Sequence, residues 1–449
     1  MTAVSLGWFG IVRLGLVQTA LGAIVVLTTS TLNRVMVVEL ALPAMLPGAL
    51  VALHYGMQML RPRLGHGSDG GGRRTPWIIG GMAVLATGGI TAAIATAWMA
   101  SNLLAGVALA IAAFVMIGLG VGAAGTTLLV LLAKRVTPRR RAAAATIVWV
   151  MMIVGFIVTA TVGGKFLDPF SPARMVAVAT VVSILAFLLT LVALYGIEGR
   201  DSTAPESTMT APGGSFREAL HQVWSEPTAR RFAIFVFVSM FAYSAQDLIL
   251  EPFAGLVFTY SPGESTQLSG LQNTGVLIGM VTVAVAVSGI GGPWFGSLRG
   301  WAIGGCIASA GALLGLVAAA AVGPAWPLRP TVVALGMANG AFAVAAIGSM
   351  MGLVGDGRPA REGVRMGLWG AAQAIAFGLG GFLGAAAVDA MRLATGAPAV
   401  AYGAVFAAEA LLFLLAAALA ACVGRAPSDR NFDMQLASSD GLAAAEARR

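Results

Sequence analysis

The sequence predicts an all-α membrane protein whose twelve transmembrane helices are arranged as six plus six. Three observations carry that expectation: hydrophobic residues make up 58% of the 449-residue chain, charged residues only 10%, and apolar runs of membrane-spanning length recur along it. A water-soluble domain carries about a quarter charged residues, which nearly excludes a soluble fold. A transmembrane β-barrel would instead alternate apolar and polar residues in strands of about ten.

Runs of about 20 apolar residues, the length that crosses a bilayer, fall near 14–37, 41–60, 77–99, 103–132, 144–163, 175–196, 232–258, 267–288, 301–322, 331–354, 366–387 and 398–423. The first, fourth and seventh have room for tilt or interruption. Trp77, Trp98 and Trp301 stand near predicted ends, where tryptophan anchors a helix at the interface. The first run follows Met1 with few charges and no small-residue cleavage site, and so reads as a membrane helix rather than a signal peptide. Between the sixth and seventh runs, 197–231 is rich in Ser, Thr, Pro, Glu and Arg. The expected organisation is therefore a six-helix bundle over 1–197, a linker over 198–231, a second bundle over 232–423 and a polar, Ala-rich tail over 424–449.

Orientation follows the distribution of basic residues. With the N-terminus in the cytoplasm, Arg34, Lys165, Arg174, Arg329 and Arg392 fall on the far side, leaving the other 22 of the 27 Lys and Arg residues on the cytoplasmic side. Both termini are thus expected inside a bacterial inner membrane. The net charge of +8 reflects these loops, so no nucleic-acid partner is read from it. Cys306 and Cys422 both lie in apolar runs, which offers neither a disulfide framework nor a metal site.

After the second run the chain reads Gly65-His66-Gly67-Ser68-Asp69-Gly70-Gly71-Gly72-Arg73-Arg74. Glycines permit a tight turn between close helices, Asp69 can cap a helix end, and Arg73 and Arg74 hold the loop in the cytoplasm. Spacing and position resemble the G-x-x-x-D-x-x-G-R-R signature of the major facilitator superfamily, here carried by Gly65, Asp69, Gly72, Arg73 and Arg74, and the six-plus-six topology points the same way. The stretch from Gly291 to Arg299 after the eighth run is a degenerate second copy at best. Gly120-Val121-Gly122-Ala123-Ala124-Gly125 fits a dinucleotide-binding pattern, but it lies within a long apolar run with no βαβ context, where small residues serve close helix packing. No nucleophile, base and carboxylate arrangement stands out, so no catalytic residue is assigned and the chain is not expected to be an enzyme.

Ionisable residues inside a membrane are expensive unless paired, and so mark function. Asn33, Arg34 and Glu39 precede Pro43 in the first helix, and Gln246, Asp247 and Glu251 precede Pro252 in the seventh, at corresponding places in the two halves. If the halves are parallel repeats, Arg34 is expected to pair with Asp247 or Glu251, either to lock the halves together or to contact substrate or protons. Glu409 in the last helix has no assignable partner. His54 is the single histidine within a predicted span. Its neutral imidazole could supply the axial ligand of a chlorin magnesium or simply bond to a neighbouring helix.

The segment Thr31-Leu32-Asn33-Arg34-Val35-Met36-Val37-Val38-Glu39-Leu40, followed by Ala41-Leu42-Pro43-Ala44, resembles the PucC/LhaA family, a photosynthetic branch of the major facilitator superfamily. Asp247-Leu248-Ile249-Leu250-Glu251-Pro252-Phe253 is similar to the acidic seventh-helix segment of that family, and the likeness extends over essentially the whole chain. The resemblance implies a bacteriochlorophyll carrier or assembly factor in the photosynthetic membrane, with bacteriochlorophyll as its cofactor or cargo and light-harvesting polypeptides or the pigment synthase as partners, amid membrane lipid. Arg61-Pro62-Arg63-Leu64-Gly65 and Arg73-Arg74-Thr75-Pro76-Trp77 look more like the sister branch found beside bacteriochlorophyll-synthesis genes. The rival expectation is a proton-coupled secondary transporter of a small solute, with Arg34, Glu39, Asp247 and Glu251 as its polar site. A synthase subunit is disfavoured because paired Asp clusters for magnesium are absent.

Overall fold

The computed structural model describes residues 6–60, 73–137, 140–198, 224–290, 297–355 and 362–422. Twelve long helices follow one another in these segments: α1 (Trp8–Glu39), α2 (Met45–Gln58), α3 (Thr75–Met99), α4 (Leu103–Arg135), α5 (Arg141–Leu167), α6 (Pro172–Leu194), α7 (Pro227–Phe258), α8 (Pro262–Val285), α9 (Leu298–Val322), α10 (Leu328–Gly355), α11 (Glu362–Thr395) and α12 (Pro398–Cys422). Eleven of them are long and apolar enough to cross a membrane. The exception is α2, with 14 residues, after which the chain soon leaves the described residues.

Helix starts obey local chemistry. Asn102, Ser171, Ser261 and Ser297 each accept a hydrogen bond from the backbone three residues on, and Pro172, Pro227 and Pro262 open their helices, where no amide hydrogen is needed. Several helices outrun the apolar stretches that signal them. The first begins at Trp8 rather than near 14, and α11 extends to Thr395 rather than 387, because backbone bonding continues where hydropathy falls.

α1 is irregular where it matters most. Two widened turns, Leu27–Thr31 and Val35–Glu39, flank Arg34, and in the second the Leu40 amide reaches back five residues to the Val35 carbonyl at 3.0 Å. The Thr28 and Thr29 hydroxyls each donate to the Val25 carbonyl at 2.9 Å, loosening the regular ladder. The helix then stops at Ala41, whose φ is +52°, just ahead of Pro43.

The packing repeats with a period of six helices. In the first half α1 contacts α5 and α6, α3 contacts α4 and α6, and α2 contacts α4; in the second, α7 contacts α11 and α12, α9 contacts α10 and α12, and α8 contacts α10. Such a pattern is that of two parallel repeats related by an axis along the membrane normal. The halves meet along two seams, α5 with α8 and α2 with α11. Buried apolar side chains form two large clusters: one over Ile11 to Ile197 joined by Leu248, the other over Phe232 to Ala420. Gly120 lies against α3, where an added Cβ would meet the Leu85 nitrogen at 2.6 Å and the Gly81 carbonyl oxygen at 2.7 Å. Only a residue without a side chain permits that approach.

Of the loop-motif residues, Gly65, Asp69 and Gly72 lie outside the described residues, while Arg73 and Arg74 enter α3. The start of α3 is held by Glu198, just beyond α6. Its carboxylate accepts from the backbone N–H groups of Arg74 (2.8 and 3.0 Å) and Thr75 (2.7 Å), and Arg73 donates to the Glu198 carbonyl at 3.3 Å. Burial pushes this carboxyl up, but the backbone donors of Thr75 and Arg74 outweigh it and hold the group below its ordinary range. A carboxyl whose folded pKa is lowered adds stability above its unfolded pKa, and that stability fades as pH falls through the folded one. Glu198→Gln should therefore lower the thermal midpoint in detergent at neutral pH by the equivalent of about 1 kcal/mol, the worth of a lost helix cap. The gap to the parent should close on acidification; a gap equally wide at acid pH would contradict this assignment.

Candidate functional site

The polar residues singled out in the first and seventh helices converge where α1 meets α7 and α8. Arg34 is 2% exposed and Asn33 equally so, both presented between the widened turns. The Arg34 guanidinium pairs with Glu39 and donates through its other terminal nitrogen to the Tyr260 carbonyl at 2.6 Å. Its Nε makes no hydrogen bond. The guanidinium fits there because residue 255 is glycine: a Cβ would stand 3.1 and 3.2 Å from Arg34 Nη2 and Nε and 3.0 Å from Val38. Tyr260 follows Thr259, whose left-handed φ of +58° turns the chain sharply at the end of α7.

At ion-pair distance the Arg34 guanidinium meets Glu39 rather than the expected Asp247 or Glu251, although Glu251 still feels the Arg34 charge from farther off. The widened turn after Arg34 carries Glu39 back over the guanidinium, and the acids of α7 find donors on α8 instead. Ser269 donates to Glu251 Oε1, and Gln272 donates to Asp247 Oδ1 at 3.2 Å. Glu251 is buried and its Oε2 makes no hydrogen bond; Gln246 is fully buried with both side-chain polar atoms unpaired. Asp247 is half-buried.

Other bonds between the halves were not visible in the residue pattern. The Thr31 and Thr266 hydroxyls meet at 3.0 Å, and Asn33 donates to the Leu248 carbonyl at 2.5 Å. At the end of α5, Asp168 accepts from the Ser261 hydroxyl (2.6 Å) and the Gly263 amide (3.2 Å) at the start of α8. Asp389 of α11 accepts from the Ala44 and Met45 amides, 3.0 and 2.8 Å, at the start of α2. Both acids hold the positive end of a helix dipole in the opposite half. The one sequence signal for them was an acid near the end of an apolar run.

His54 lies in α2, 2% exposed. Its Nε2 is 2.8 Å from the Gln58 amide nitrogen, so the ring lone pair faces a donor. Its ring stands edge-on to Tyr55 at 4.9 Å. Tyr55 continues across the α2–α11 seam to Phe377 at 5.4 Å, and Phe377 to Tyr243 of α7 at 5.8 Å. These three half-buried rings form an aromatic row that spans the two halves, one helical turn from Asp247.

A family model described as PUCC protein matches residues 31–427. A Rhodobacter capsulatus protein described as the bacteriochlorophyll synthase 44.5 kDa chain is 55% identical over 422 residues, covering 93% of this chain and 95% of that one. Protein PucC of Rhodovulum sulfidophilum is 29% identical over 406 residues, 85% of this chain and 86% of its own. Among solved structures, the peptide transporter POT in complex with sulfate superimposes with a TM-score of 0.68 at 16% identity, over 94% of this chain and 97% of that one. The last is a likeness of fold, that of major facilitator transporters.

Breaking a buried ion pair costs about 3–5 kcal/mol, but the Glu39 side chain is 34% exposed. Glu39→Gln should accordingly destabilise the purified protein by roughly 2 kcal/mol, the smaller value reflecting solvent screening. Arg34→Gln should also destabilise, and the double variant should lose less than the sum. Strict additivity in thermal unfolding would show that the two side chains do not act as a pair.

Proposed function

Because the chain belongs to the PUCC protein family, we propose that it is a bacteriochlorophyll carrier or assembly factor, handing pigment to light-harvesting polypeptides or to the pigment synthase. Its relatives, one described as a bacteriochlorophyll synthase chain and another as PucC, give the photosynthetic context. The observation that carries the reading is the aromatic row Tyr55–Phe377–Tyr243 across the seam of the two halves, whose rings, tilted and edge-on to one another, give an aromatic lining against which a conjugated macrocycle can pack. Bound pigment supplies a magnesium with an open axial position. On this reading the chain contributes shelter and orientation and carries out no covalent step.

His54 is our candidate for the axial ligand, since a neutral imidazole is a good magnesium-chlorin donor and this one neighbours the row. Ligation requires the Gln58 amide to turn away from Nε2. The loop residues Gly65, Asp69, Gly72, Arg73 and Arg74 govern the relation between helices rather than touching pigment. The basic-residue distribution supports a bacterial photosynthetic inner membrane with both termini in the cytoplasm.

The rival reading, a proton-coupled transporter using Arg34, Glu39, Asp247 and Glu251, draws on those residues being gathered between the halves. Purification in mild detergent from a pigment-making membrane decides between them. A carrier brings a chlorin absorption band and a client protein with it, whereas a transporter shows substrate-dependent flux in proteoliposomes and no pigment.

If His54 ligates pigment, His54→Leu should lose the pigment or shift its Qy band at unchanged protein abundance, and an Asn or Gln replacement should retain part of it. Gln58→Leu, which takes the amide away from Nε2, should then raise pigment content. Unchanged spectra in His54→Leu would make this histidine a packing and hydrogen-bonding residue, with its contacts to Gln58 and Tyr55.

A further inference from the structure

Glu409 of α12 is 2% exposed, and neither of its carboxylate oxygens has a hydrogen-bond partner. An ionised carboxylate in that state would be among the most expensive arrangements a membrane protein can hold. Ring contacts show what it faces. Near one end of the antiparallel α7–α12 pair, Phe253 packs on Tyr402 (5.7 Å) and Phe406 (5.1 Å). Toward the other, Tyr243 and Phe413 pack on the same ring, Phe342, at 6.3 and 5.4 Å. One helical turn from Tyr243 is Asp247, and one turn back from Phe413 is Glu409, which places the two carboxyls at the same level across the α7–α12 contact. Glu409 feels the charge of Asp247.

Among the described residues, Arg34 of α1, which packs on α7, is engaged by Glu39 and the Tyr260 carbonyl, and α8 offers Asp247 the neutral Gln272 amide. Of the helices packed on α12, α7 presents Tyr243, Asp247 and Glu251. On α9, Cys306 is buried and Arg299 is bonded to the Ala421 carbonyl at the helix end. On α11, Asp389 and Arg392 lie at the opposite end, beside Tyr402. A metal ion would need several more oxygen or nitrogen donors, and no cluster of three such residues occurs among those described. A proton taken from water onto Glu409 removes a charge that no neighbouring donor compensates, while Asp247 keeps its donor on α8.

We propose that Asp247 and Glu409 form a proton-binding carboxyl pair between α7 and α12, holding one proton within the membrane. The Gln272 amide, donating to Asp247 Oδ1, favours Asp247 as the ionised member and Glu409 as the protonated one. The pair does not draw on Arg34, and although Tyr243 of the aromatic row lies one helical turn from Asp247, protonation of the pair requires no bound pigment.

The test is infrared difference spectroscopy of the purified full-length protein across a pH titration, which needs no reagent to reach the site. The expected result is a protonated-carboxyl C=O band that Glu409→Gln removes. In Asp247→Asn the neighbouring charge is gone, and the band should titrate away at a pH lower by about one unit or more, the signature of coupled sites. Asp247→Glu should restore the parent titration, showing that loss of charge rather than misfolding is responsible, and Glu251→Gln should leave the band in place. A band that survives Glu409→Gln, or a titration indifferent to Asp247→Asn, would overturn the pair.

Discussion

A guanidinium buried inside a membrane protein dictates much of the structure around it. Arg34 cannot be left unpaired at such depth without a penalty of several kcal/mol. Three departures from regular helix meet that demand. The turn after Arg34 widens and brings Glu39 back onto the guanidinium. Thr259 adopts a left-handed conformation at the end of α7, where the Tyr260 carbonyl accepts from Arg34. Gly255 leaves the space a Cβ would fill. Each is unfavourable or neutral alone, and together they fix how α1 crosses α7.

The same neighbourhood ties the halves together. All the described hydrogen bonds between them, through Thr31, Asn33, Arg34, Asp168 and Asp389, lie toward the end of the bundle where α1 stops and α2 and α8 begin. At the other end, Arg13 bonds the Tyr195 carbonyl, Glu198 holds the start of α3, and Arg231 and Arg299 bond the end of α12. Those bonds stay within one half. The two repeats are therefore pinned by polar contacts at one end and joined elsewhere by apolar and small-residue packing along α5–α8 and α2–α11. In a low-dielectric medium directional bonds are costly to break, so this end defines the relation of the halves in the described state.

Placing the acids of α7 against α8 and α12 rather than against Arg34 separates two kinds of polar chemistry. The arginine is neutralised on the α1 side by Glu39, and the carboxyls of α7 are served by the hydroxyl of Ser269 and the amide of Gln272. Asp247 and Glu251 each keep a neutral donor on α8, and Glu251 feels the Arg34 charge from beyond ion-pair distance.

The sequence by itself determined the class of the protein. Membrane-length apolar runs need no tertiary information, because backbone groups in lipid must be satisfied within each helix, and twelve such runs with a break near 200 already imply two bundles. The exceptional cost of intramembrane charge likewise singled out Arg34, Asp247 and Glu251, which the structure gathers where α1 meets α7 and α8. Partners were another matter. Pairing depends on helix rotation and on local backbone departures of a few ångströms, and hydropathy carries neither. Only the tertiary structure could turn Arg34 to Glu39, set Asp168 and Asp389 on helix ends in the opposite half, engage His54 with Gln58, and bring Glu409 level with Asp247. In each case the decisive quantity was the register between two packed helices, fixed by many small side-chain contacts far apart in the chain.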